Sequence, residues 1–262
     1  MIVRKQPNGE VMLLTQTDHS RLAGFLASHW GNSTFAPLQP YESVARAATF
    51  HDFGWLRYET RPDINPQTGE PYTFQNLPFS QPQLDAYQWC VDWLASVDPY
   101  SALLVALHRV GLWRSRFETI TFPVWRYGNM TLPDEIESYI AHTKPLLDEQ
   151  RAVIGGDTIW TNYRLLQVWD LLGLYFTCTD PYEHAVEPVP TEYDGQELSG
   201  VRMSLQPLNE RHVVMDPYPF DVRPMTLNIP YRSLPSATFP DADSFRRVYF
   251  TAAPQMLTYV VE

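Results

Sequence analysis

The stretch TIWTNYRLLQVWDLLGLYF, residues 158–176, decides the fold, because it has helical spacing and is apolar nearly all round. A surface helix shows one apolar stripe, so a helix without a polar face belongs at the centre of a helical core. Asp170 lies on its stripe with Ile159, Tyr163, Leu166 and Gly173. An ionised carboxylate there is costly to bury unless a cation or several donors satisfy it.

Working outward, helical spacing returns from Asp18, through Leu22, Phe25, Leu26, His29 and Trp30, with Asp18 as the expected cap. It returns from near Pro40 through Val44, Ala48, His51 and Trp55 to about Tyr58, then over about 83–96, from Pro99 through Leu107, His108 and Gly111, and over about 134–153. After Asp180 the chain becomes Pro-rich, and Val201, Met203 and Leu205, then Met225, Leu227 and Ile229, then Leu257, Tyr259 and Val261 keep the two-residue period of half-buried strands. A short helix is expected near 241–252. At the other end, apolar runs at 2–4 and 11–15 flank Pro7-Asn8-Gly9, a strong hairpin signal. A lone hairpin is unstable, so it should pair with the C-terminal strands. The expectation is a mainly α fold: a helical core over 18–180, with a small sheet built from 1–17 and 195–262 packed on it in one compact unit.

Composition narrows the partners. With 19 basic and 30 acidic residues the net charge is −11, which argues against duplex nucleic acid or an anionic membrane; a small molecule is the expected partner. No run reaches the ~20 apolar residues of a membrane helix, and MIVRKQPNGEVMLLTQTD lacks the core of a secretory signal, so a cytoplasmic location is expected. Cys90 and Cys178 form no metal-like pair and read as reduced core residues. Residues 61–82 should be a surface loop. Between Gly111 and Pro133 no regular pattern survives, and Arg114, Arg116 and Arg126 there are expected to bind substrate as a phosphate-binding lid.

The chemistry-bearing residues are His19, His51, Asp52, His108 and Asp170, all in or beside apolar helical stretches. Neighbours on a helix point about 100° apart, so His51 and Asp52 can both reach an ion lying between their directions. Imidazole plus carboxylate suits a divalent Fe, Mn, Zn or Ni without choosing among them. His19, His51, Asp52 and Asp170 would hold one ion with room for water, and His108 would ligate a second ion or bind the leaving oxygen. His29 is expected to be hydrogen-bonded or core, and His142 solvated.

The order of a lone His (His19), an adjacent His-Asp (His51-Asp52) and a distant Asp (Asp170) resembles the HD-domain metal-dependent phosphohydrolases. That resemblance implies an HD-like helical core and phosphate-ester hydrolysis. Members with two metals carry extra histidines between the His-Asp pair and the last Asp, where His108 stands. The chain also resembles an uncharacterised bacterial family, a domain of unknown function, through Gln16 to His19, His51 to Trp55, Asp98 to His108 and Leu166 to Asp170.

Three functional classes follow. The leading one is a metal-dependent hydrolase of a small phosphate ester or nucleotide, with Asp52 and His108 as catalytic groups. The others are a di-iron oxygenase and a non-catalytic metal-binding regulatory module.

Overall fold

The computed structural model describes residues 1–120, 132–194 and 199–262. Strands β1 (Ile2–Lys5) and β2 (Val11–Leu14) form the hairpin, and the helices are α1 (Gln16–Ser28), α2 (Tyr41–Phe50), α3 (Leu56–Glu59), α4 (Gln81–Val97), α5 (Pro99–Trp113), α6 (Asp134–Ile154) and α7 (Gly156–Cys178). They are followed by β3 (His184–Val189), β4 (Val201–Asn209), β5 (His212–Asp216), β6 (Met225–Leu234), α8 (Ala242–Thr251) and β7 (Pro254–Val261).

The strands form one sheet in the order β1-β2-β6-β7-β5-β4-β3, and β5 and β7 are its parallel pair among the described residues. This overturns the expected mainly α fold with a small sheet. With about 49% helix and 20% strand, and seven strands curled into a mixed half-barrel, the protein is an α/β fold. The sheet is larger than expected because β3 and β5 extend it beyond the three alternating runs. Neither announces itself: β3 contains Pro188 and begins before 195, and β5 spans only five residues.

Helices and sheet share one core. Met203, Leu205, Val213, Leu227, Ile229, Leu257 and Tyr259 of the sheet pack in a single apolar cluster with Tyr163, Leu166, Trp169 and Phe176 of α7. Strand β2 explains why VMLL shows no alternation. Met12 and Leu14 face that cluster, while Val11 and Leu13 face a second one with Phe245 and Tyr249 of α8. A strand covered on both faces reads as a continuous apolar run.

Helix α7 is central as expected. Eighteen of its residues are buried, and it packs against α1, α2, α5, α6 and strands β1 and β3. Cys90 and Cys178 are free thiols. Among the described residues no helix is long and apolar enough to cross a membrane.

Candidate metal centre

Two helix ends build the first half of the site. Helix α1 starts at Gln16, capped by the Thr15 hydroxyl, which accepts from Asp18 N–H, so the cap is Thr15 and not Asp18. The Glu59 carboxylate also accepts from Gln16 N–H, and from the Thr17 backbone at 3.4 Å and hydroxyl at 2.8 Å. An anion on the donor end of a helix is favoured by its dipole. It fixes the turn that carries His19.

The His51-Asp52 pair does not lie in a continuous helix. Helix α2 ends at Phe50, His51 caps it, and Asp52 leaves helical geometry at φ −112°, ψ 16° before a short 3-10 turn, Phe53–Trp55. That break relieves the constraint of 100° between neighbours. His51 Nε2 lies 3.8 Å from Asp52 Oδ2 and 3.4 Å from Asp170 Oδ1.

His19 Nε2 lies 3.0 Å from Asp170 Oδ1, and the His51 ring stands edge-on to both His19 and His108, with centroids 5.3 and 4.7 Å apart. All five expected residues are thus gathered and at most 5% exposed. Ligand atoms of His19, His51 and Asp52 lie within 4.8 Å of one another, as do those of His51, His108 and Asp170.

The cations that neutralise the carboxylates come from the protein itself. Arg109 on α5 donates to Asp52 Oδ1 at 2.7 Å and stacks over the Tyr87 ring at 3.8 Å. Arg116 donates to Asp170 Oδ2 at 2.7 Å and to Gln167 Oε1. Each carboxylate keeps its other oxygen toward the histidines: Asp170 Oδ1, and Asp52 Oδ2, which also accepts from Gln16 Nε2 at 3.2 Å. Burial opposes charge on Asp170, but Arg116, His19 and His51 outweigh it and hold its pKa well below the usual carboxylate range. Burial likewise opposes charge on His51, yet Asp170 and Asp52 carry its pKa above the ordinary value. His108 is driven far down by burial and stays neutral.

The lid arginines part company. Arg116 is buried in the cluster, whereas Arg114 is exposed and bonds Glu137 of α6 at 2.8 Å. Arg126 lies outside the described residues. Arg116 gets there through an unusual backbone: Ser115, Arg116, Phe117 and Glu118 have φ of 52°, 55°, 52° and 58°. The left-handed region costs L-residues roughly 1–2 kcal/mol each, so this turn stores strain beside the site. His29 bonds Asp221 at 2.9 Å, and His142 is exposed.

Gln167 carried no expected role, and Arg109, the first of the arginine group over 109–126 expected to form a phosphate-binding lid, turns instead to Asp52. Arg109 follows His108 directly and so sits in plain view, but nothing in its spacing showed which way it turned.

A divalent ion fits this centre on the evidence of its orphaned nitrogen. His51 Nδ1 lies 2.8 Å from Ala48 O, which holds the proton on Nδ1, while buried Nε2 faces Asp170 Oδ1 at 3.4 Å and makes no well-formed hydrogen bond among the described residues. Pinning one imidazole nitrogen to a carbonyl to present the other is how metal-ligating histidines are oriented. His19 is cradled too, since a Cβ on Gly173 would stand 2.7 Å from its Cε1.

An α/β protein with a buried His/Asp/Arg cluster between helices is the class that fold and site define. A family described as a protein of unknown function, DUF3891, matches residues 1–236, and the chain belongs to it. No curated protein and no solved structure matches the chain.

Proposed function

We propose that the protein is a metal-dependent hydrolase acting on the phosphate ester of a small molecule, with a site akin to that of the HD-domain phosphohydrolases. The observation that carries this reading is the convergence of His19 Nε2, His51 Nε2, Asp52 Oδ2 and Asp170 Oδ1 on one buried region, with no well-formed hydrogen bond at His51 Nε2 among the described residues. These four residues would hold the ion. When bound there, a divalent ion supplies Lewis acidity and brings the pKa of water down toward neutrality.

The chain does the rest. Arg109 and Arg116 keep the two carboxylates ionised and turn one oxygen of each toward the histidines. Asp52 orients the attacking water, and His108 donates to the leaving oxygen. The arginines balance both carboxylate charges without an ion, so it is the imidazole nitrogens and not uncompensated charge that call for one.

Elemental analysis of untagged protein beside a His51→Ala variant tests the site, and a phosphoester panel on the loaded protein tests the reaction. One Fe, Mn, Zn or Ni per chain, lost in the variant together with hydrolysis, is expected. Metal without hydrolysis that His51→Ala abolishes would leave a regulatory module, and no metal at all ends the reading.

A further inference from the structure

Gln167 lies on α7 one turn before Asp170, fully buried, and joins two groups of fixed or open protonation. A guanidinium has donors and no acceptor, so the amide oxygen of Gln167 must face Arg116, as it does. Its NH2 is then the group 3.1 Å from His108 Nδ1. An NH2 donates, so Nδ1 is the acceptor, and the single proton of the neutral ring is on Nε2. Buried Nε2 has no hydrogen-bond partner among the described residues.

We infer that Arg116 and Gln167 are positioning residues that lock His108 as an Nε2–H donor to an acceptor oxygen of the bound anion, and thereby withhold it from metal ligation. Both nitrogens are accounted for: one lone pair is occupied by Gln167, and the other nitrogen carries hydrogen. His108 is close enough to His51 and Asp170 to have completed a ligand set, but it offers no lone pair. The centre therefore takes one ion, and an oxygenase with two irons lacks a ligand it would need. The count of ions rests on the metal-centre reading above. The position of the proton does not.

The test is nitrogen NMR on metal-free, 15N-histidine-labelled protein, with the His108 signals identified by their loss in His108→Asn. The expected pattern is protonated Nε2 and bare Nδ1; a protonated Nδ1 overturns the inference. Gln167→Glu replaces the donor with an acceptor, so the proton should move to Nδ1 and zinc bound per chain should rise from one toward two. An unmoved proton in a folded Gln167→Glu protein, or two zinc ions in the wild type, also overturns it. Should that variant not fold, the wild-type spectrum still decides. Added inorganic phosphate should shift the wild-type His108 Nε2 signal, and no shift refutes the donor role. Zinc failing to bind the wild type would sink the metal-centre reading while leaving the proton measurement intact.

Discussion

At the scale of single residues, the site was legible where an ionisable group interrupted an apolar stripe. His19, His51, His108 and Asp170 were found that way, because burial without a partner is too costly to be accidental. Arg116 was singled out as a substrate-binding arginine, but its pairing with Asp170, that of Arg109 with Asp52 and the place of Gln167 beside His108 were not legible, since a buried partner is chosen by three-dimensional approach. The two buried imidazoles also make opposite pH demands on the metal-free protein. His108 has a folded pKa well below 6.5, so below that value the unfolded chain binds the proton that the folded one refuses, and stability falls as pH falls. His51 has a folded pKa above 6.5, so its contribution is full below that value and is lost as pH rises through the folded pKa. Denaturant unfolding of metal-free protein between about pH 5 and about pH 7 should show His108→Asn flattening the acid-side slope. A slope identical to wild type would mean that His108 is protonated in the folded state.

At the scale of elements, α7 was visible as a uniformly apolar helix, whereas the interruption after α2 was not, because Ala47 to Trp55 keeps helical spacing through the break. The left-handed turn at Ser115–Glu118 contains no glycine to signal it. Helices α1 and α7 meet where Gly173 lies against the His19 ring, a contact that predicts an unusual outcome for Gly173→Ala. In a helix interior, Ala is ordinarily better than Gly by about 1 kcal/mol. Here the new Cβ would stand 2.7 and 2.8 Å from His19 Cε1 and Nδ1, and the ring is fully buried with nowhere to retreat. Overpacking costs roughly 1–3 kcal/mol, which cancels or exceeds the propensity gain, and the displaced imidazole should weaken zinc binding by ~10–100-fold. Calorimetric titration of zinc into Gly173→Ala would check this, and wild-type affinity would show that His19 is not a ligand.

At the scale of the whole molecule, the same rule that exposed α7 concealed the size of the sheet. Alternation marks strands with one solvated face, and it found parts of β4, β6 and β7. Strand β2 is covered on both faces and β3 and β5 are short or irregular, so the layer looked like an accessory until pairing joined it into seven strands around a shared core. That core makes the proposed centre a clasp on the entire fold. His19 is on α1, His51 and Asp52 follow α2, and Asp170 is on α7, so ions bound by all four tie residues up to 151 positions apart in the chain. Because Arg109 and Arg116 already neutralise the carboxylates, the metal-free protein should remain folded, and an ion should add stability by mass action. At a free concentration of ~100 times its Kd, zinc should contribute about 2.7 kcal/mol, which for a chain of this size raises Tm by roughly 5–10 °C. Scanning calorimetry with and without zinc should show one transition moving upward as a unit, since no ligand sits on an element that can unfold alone. His51→Ala should abolish the shift while the metal-free variant keeps its single transition. A shift of equal size in His51→Ala would place the ion elsewhere and leave the cluster a purely structural ion-pair network.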